Sequence, residues 1–188
     1  LFGPVVSACV IASGDVVSEW IKAGIKDSKK LTDPTIAELD RMIRSTPGVA
    51  VKTTFARMAK YNELHSRFGK NLNRLLGWMH ATSCEEALKN YEEMNGRRPA
   101  WGLLDQFSEE PIVQKELARK NIAFDLRMRT KAESDPVVAA ASIVARAAFV
   151  RELDRLSADG GVPLPKGSGA EAKRAAVELI ERLGPAIL

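Results

Sequence analysis

Cysteine and histidine are scarce in this chain, with two of each among 188 residues. Cys9 and Cys84 show no C-x-x-C or zinc-finger spacing, and His65 and His80 are too few for a His-rich metal site. A disulfide scaffold and a structural zinc site are thereby excluded. Both thiols read as small buried residues of a reducing compartment, which places the chain in the cytoplasm. No apolar run reaches the roughly 18 residues that a membrane-spanning helix needs, so no membrane partner is expected. Phosphate-cradling loops of the G-x-x-x-x-G-K-[ST] and G-x-G-x-x-G kinds are missing too. Neither sign of charge dominates: 28 Lys+Arg stand against 24 Asp+Glu, a net +4 that permits a polyanionic partner without requiring one.

What remains is an ordinary globular composition, 45% apolar and 28% charged, long enough for one domain with a proper core. The chain opens on Leu1-Phe2-Gly3-Pro4-Val5-Val6, without Met or a polar lead, and closes on Gly184-Pro185-Ala186-Ile187-Leu188. Neither end reads as a terminus or a signal peptide, so residues 1–188 are expected to be one domain incomplete at both ends.

Val5 to Ala12 reads as a buried strand closed by a Ser13-Gly14-Asp15 turn, and Val49 to Arg57 as a second strand. Thr32-Asp33-Pro34 opens a helix with Ile36, Leu39, Met42 and Ile43 on one face. Residues 58–74 look like a basic loop, and a long helix runs from Leu72 to about Met94 before Asn95-Gly96. Trp101 to Leu104 has the look of a strand buried on both faces, and Pro111 to Lys120 of a short helix. Residues 122–129 alternate, Ile122, Phe124, Leu126 and Met128 against Ala123, Asp125, Arg127 and Arg129, as a half-buried strand does. After Ser134-Asp135-Pro136 comes a helix from Val137 to about Ser157, apolar all round and rich in small residues, which should lie close to a sheet. A last helix spans 170–183. Trp20, Trp78 and Trp101 read as core, His65 as an exposed loop residue and His80 as a helix-face residue. Interleaved strands and helices give an α/β class.

Two acids sit at junctions. Asp105 ends the apolar strand, where α/β sheets collect ligands, and Glu133 lies between the alternating strand and the small-residue helix. Hard divalent cations take oxygen ligands of this kind. From placement alone a turn or cap role is the simpler reading of each acid, and Asp27, Asp33 and Asp135 have cap or turn explanations of their own. Between Lys52 and Arg74, six basic residues face only Glu63, with Tyr61-Asn62, Asn71 and Asn73 among them; Lys29-Lys30 forms another cluster. Such groups suit a phosphate backbone, though taken alone in a chain of net +4 a solvated basic surface is the simpler reading. Ser142 has no histidine suggestively near, so it reads as a packing residue.

Eight runs in order resemble the type 2 ribonucleases H, and among them bacterial ribonuclease HIII. They are Leu1–Val6, Lys26-Asp27-Ser28-Lys29-Lys30-Leu31-Thr32, Tyr61-Asn62, Asn71–His80, Leu104-Asp105-Gln106-Phe107, Thr130-Lys131-Ala132-Glu133-Ser134, Ala139–Arg146 and Leu164-Pro165-Lys166-Gly167. The resemblance implies a ribonuclease H-like fold, a central mixed sheet flanked by helices. It also implies endonucleolytic cleavage of the RNA strand of an RNA–DNA hybrid at a two-metal centre of Mg²⁺ or Mn²⁺, leaving 5′-phosphate and 3′-hydroxyl ends, by a monomer. Of the family's four acids the third matches Asp105 and the fourth Glu133; the Glu in T-K-A-E-S favours ribonuclease HIII. Ser28, Lys29, Lys30, Asn62, Asn71 and Asn73 are the matching candidates for strand positioning. The first two acids belong to a D-E-S-G-K-G-D-like run that the family carries just before the segment matching Leu1, and this sequence does not contain it. An N-terminal substrate-binding domain and a C-terminal K-x-H-F-like run are not in it either. The competing readings are an inactive nucleic-acid-binding module on the same fold and a resolvase-like DNA nuclease.

Overall fold

β-Branched residues at the start and small residues further on dictate where the layers of this chain form. The computed structural model describes residues 3–184. Leu1-Phe2 and the closing Pro185–Leu188 lie outside the described residues. The order is β1 (Val5–Ile11), α1 (Gly14–Lys22), α2 (Asp33–Ser45), β2 (Ala50–Ala56), α3 (Met58–Arg67), α4 (Leu72–Asn95), β3 (Gly102–Asp105), α5 (Ile112–Arg119), β4 (Leu126–Arg129), α6 (Pro136–Gly160) and α7 (Ala170–Leu183). Single 3₁₀ turns occupy Ser28–Lys30 and Ala132–Ser134.

The α/β class expected from the sequence is what the structure has. Among the described residues the strands pair in two ladders, β1 with β2 antiparallel and β3 with β4 parallel. Successive side chains of β1 go to opposite faces, as the pleat requires. Val10 joins Trp20, Ile36, Ile43, Ile143 and Val144 beneath α1, α2 and α6. Ile11 joins Ala50, Cys84, Leu88, Val113 and Leu117 beneath α4 and α5. The small residues of α6 let it lie close to β1 as expected, with Ala139, Ala140, Ala147 and Ala148 buried. Asp135 caps its start, its Oδ1 accepting from the N–H groups of Val137 and Val138 at 2.9 and 3.3 Å, and Gly161 ends it at φ 62°. Buried Asp40 of α2 is satisfied by Arg44 at 2.9 Å and by Arg151 of α6 at 2.6 Å.

The structure corrects several sequence readings. The turn at Ser13-Gly14-Asp15 opens a helix, α1, whose Trp20 is buried. Residues 58–67 are helical, and His65 lies on that helix stacked on Tyr61 at 5.5 Å. The alternation over 122–129 is present in burial, yet only Leu126–Arg129 pairs as strand. β3 is half-buried, and Trp101 before it is 47% exposed, its ring covered by the Arg127 guanidinium at 4.9 Å. The cause is positional: among the described residues β3 pairs with β4 alone, along one edge. Trp78 is half-buried on α4.

α4 crosses the start of α5 at a glycine. A Cβ on Gly77 would stand 2.3 Å from Ile112 Cγ2, inside any tolerated contact. Gly77→Ala is expected to destabilise the fold by about 1–3 kcal/mol through overpacking. Urea denaturation would read this, and adding Ile112→Ala should return part of the loss; an unchanged midpoint in Gly77→Ala would contradict the close approach.

Candidate active site

An open cleft of about 880 Å³ lies between the two ladders. Its walls include every residue from Val6 to Ala12 and from Arg97 to Asp105. Unbroken runs, in place of every second residue, mean that the cleft meets the edges of β1 and β3 and not one pleated face.

Asp105 stands at the C-terminal end of β3, exposed at the cleft, and its Oδ1 accepts the Ala132 N–H at 3.0 Å. That bond ties the strand end to the 3₁₀ turn carrying Glu133, which lines the same cleft. The chain reverses into this turn at Lys131, a non-glycine residue held at φ 54°. The two acids that the sequence singled out are thus brought together by a parallel strand pair, one hydrogen bond and one strained residue. Among the described residues no group of three or more His, Cys, Asp or Glu is arranged to hold a metal.

The other acids are engaged as turns, caps or ion pairs. Asp27 lines the cleft and accepts the Lys29 N–H at 3.0 Å. Asp135, also at the cleft, caps α6, and Asp33 holds Arg146 at 3.1 Å and also Lys166.

The positioning candidates divide into three groups. Lys29 and Lys30 are exposed on the turn Ser28–Lys30, and Lys29 lines the cleft. Ser28 is only 5% exposed, and its hydroxyl shares a 2.7 Å hydrogen bond with that of Ser142. Asn62 on α3 and Asn71 and Asn73 at the start of α4 are exposed but away from the cleft walls. Asn71 also caps α4, accepting the Arg74 N–H at 3.1 Å.

Sequence reasoning passed over three residues of this region. His80 on α4 lines the cleft wall and stacks on Phe107 at 5.5 Å, and burial lowers its pKa to about 4. A lone histidine on a helical stripe gives no sign of this, because its partner comes from the loop after β3. Arg146 bonds the Ser28 carbonyl and Asp33; a charged residue within an apolar helix was the available signal. Ser142 makes a hydrogen bond in addition to packing. Cys9 and Cys84 are free thiols, the first half-buried and the second buried. A hydrogen bond with Cys84, together with burial, pushes the Cys9 thiol up, so it stays protonated at neutral pH.

The family described as Ribonuclease HII matches residues 1–186. Ribonuclease HIII of Protochlamydia amoebophila is 38% identical over 183 residues, which cover 97% of this chain and 58% of that protein. Ribonuclease HIII of Bacillus velezensis is 35% identical, covering 100% of this chain and 58% of its own length. Bst-RNase HIII, solved in complex with Mn²⁺, superposes with a TM-score of 0.88 at 28% identity over 99% of this chain and 59% of that one. The chain therefore spans a little under three-fifths of the relatives it matches. The motif resemblance read from the sequence agrees with these matches, and with a family match running almost from end to end the chain belongs to the ribonuclease HII family.

Proposed function

We propose that this chain is the core of a catalytic domain that cleaves the RNA strand of RNA–DNA hybrids endonucleolytically, leaving 5′-phosphate and 3′-hydroxyl ends, as a monomer in the cytoplasm. The observation that carries the reading is the tie between Asp105 and the Glu133 turn, which holds both carboxylates at one cleft. Their oxygens fit Mg²⁺ or Mn²⁺ in kind, and two carboxylates with waters and a substrate phosphate are enough for one such cation. A second cation needs further donors, which in the family come from the D-E-S-G-K-G-D-like run. When bound, the cations supply charge stabilisation at the scissile phosphate and an activated water.

The chain's own residues do the rest. Asp105 and Glu133 would hold one cation. The Ala132 N–H keeps the Asp105 carboxylate in one orientation, leaving its second oxygen for a ligand. Lys29 lines the cleft and Lys30 follows it on the same exposed turn, and exposed cations of this kind neutralise phosphates. Asn62, Asn71 and Asn73, exposed as Arg67, Lys70 and Arg74 are and outside the cleft walls, suit the backbone further along the duplex. Recognition of this kind reads the shape and the 2′-hydroxyls of a hybrid, without base sequence.

The test is cleavage of a hybrid labelled on its RNA strand, in Mg²⁺ and then Mn²⁺, by the chain fused behind a D-E-S-G-K-G-D-like run. Cutting confined to RNA and lost in Asp105→Asn is the expected result. Salt-sensitive binding without cutting leaves a binding module, and cutting of branched DNA with the hybrid ignored leaves a resolvase-like enzyme.

A further inference from the structure

The family resemblance makes Ser28, in the run Lys26–Thr32, a candidate for positioning the substrate strand. Its burial changes that role. Ser28 points inward to Ser142 of α6, with the two hydroxyls 2.7 Å apart. One helical turn further along α6, Arg146 Nη1 donates to the Ser28 carbonyl at 2.5 Å, and Nη2 donates to Asp33 Oδ1 at 3.1 Å. The other Asp33 oxygen is engaged by Lys166, from the loop between α6 and α7. Positions 142 and 146 share one face of the helix, so α6 grips a single residue of the connector from two sides. The residues that follow, Lys29 and Lys30, are exposed, and Lys29 lines the cleft holding Asp105 and Glu133.

One charge-assisted contact and a hydroxyl pair on a single residue of the turn, with a second charge-assisted contact to Asp33 at the start of α2, are more than a solvated loop needs. The partners are more than 110 residues apart in sequence, so the turn is fixed by the tertiary fold and not by its own propensity. A lysine on a free loop loses rotamer and backbone freedom when it meets a phosphate. A lysine on a clamped turn has lost the backbone part already, and only its side chain remains to be ordered.

We propose that Arg146, with Ser142, is a positioning residue for nucleic-acid binding: it clamps the Ser28–Lys30 turn so that Lys29 and Lys30 are presented to the substrate phosphates beside Asp105 and Glu133. The proposal rests on the nucleic-acid reading above and assigns the clamp to that same site. Arg146 does not touch the substrate; it acts through the two lysines.

The experiment is a double-mutant cycle on the chain as it stands, in EDTA. Fluorescence anisotropy with a fluorescein-labelled RNA–DNA hybrid reads affinity, and amide hydrogen exchange reads residues 27–31. Lys29→Ala/Lys30→Ala should weaken binding about tenfold and lower the salt slope by about 2, one for each lost phosphate contact. Arg146→Met should speed exchange in 27–31 and weaken binding several-fold, yet add nothing in the double-lysine background. Ser142→Ala, which removes one hydroxyl and spares the fold, should behave the same way on a smaller scale; it carries the cycle should Arg146→Met fail to fold. Unchanged exchange at 27–31 overturns the clamp. So does a binding loss from Arg146→Met that persists in full without the lysines, since the arginine would then act by another route. Failure of the unmodified chain to bind the hybrid overturns the nucleic-acid reading and the clamp's role with it, and is recognised before any variant is compared.

Discussion

Stability should fall as the pH is lowered from 6.5 to about 4, and replacing His80 should flatten that fall. The imidazole lies on α4 within the wall of the cleft, its ring stacked on Phe107 with the planes 21° apart. Burial favours the neutral ring and lowers its pKa from 6.5 to about 4. Between those values the unfolded chain binds a proton that the folded chain refuses, so unfolding takes up a proton and is promoted by acid. The contribution is whole above 6.5, shrinks as the pH drops through the window, and stops changing below about 4, where both states are protonated. At about 1.36 kcal/mol per pKa unit, the full loss is about 3 kcal/mol. Urea titrations from neutral pH down to about 4, on the unmodified chain and on His80→Gln, would measure it. The difference between the two curves isolates this group from the carboxylates, and parallel curves would show that the ring charges freely in the fold.

A comparable loss is expected from the core. Ile143 is fully buried on α6, in the cluster that includes Val10, Ile36, Leu39 and Ile43. Three elements meet there, so the space left by a truncated side chain cannot close by the shift of one helix. Ile143→Ala should cost about 2–5 kcal/mol, a large share of the 5–15 kcal/mol typical of a whole domain. Ile143→Val should cost about 0.5–1.5 kcal/mol, and Val177→Ala, at a position 55% exposed on α7, close to nothing. A lowered urea midpoint with an unchanged slope is the signature. Equal effects at 143 and 177 would mean that α6 is not seated on the sheet as described.

How much of this was legible in the sequence depended on whether the signal was local. α2, α4 and α6 each carry a side-chain cap at the start, Thr32, Asn71 and Asp135, ahead of apolar or periodic residues. Such helices declare themselves. α3 has no side-chain cap bond and little apolar face, and its basic residues imitate a loop. α1 opens at Gly14 behind a serine, which imitates a turn. Asp105 and Glu133 were visible because a strand end and a helix approach are positions along the chain. The inward turn of Ser28 and the stacking of His80 were not. Each depends on a partner brought in by the fold, Ser142 for one and Phe107 for the other, and no spacing encodes it. Trp101 misled for a related reason: an apolar run beside a tryptophan reads as interior unless one knows how the strand it leads into is paired.

The pairing of the strands has a consequence for handling the protein. Among the described residues β1 and β3 each pair along one edge only, and an unpaired edge is a template on which other polypeptide can lengthen a sheet. On a convex rim two such edges would invite aggregation. Here they are recessed within a concave space, with charged Asp27, Lys29, Arg97 and Arg98 among the residues around it. Salt that screens these charges is expected to remove part of the protection they give the edges.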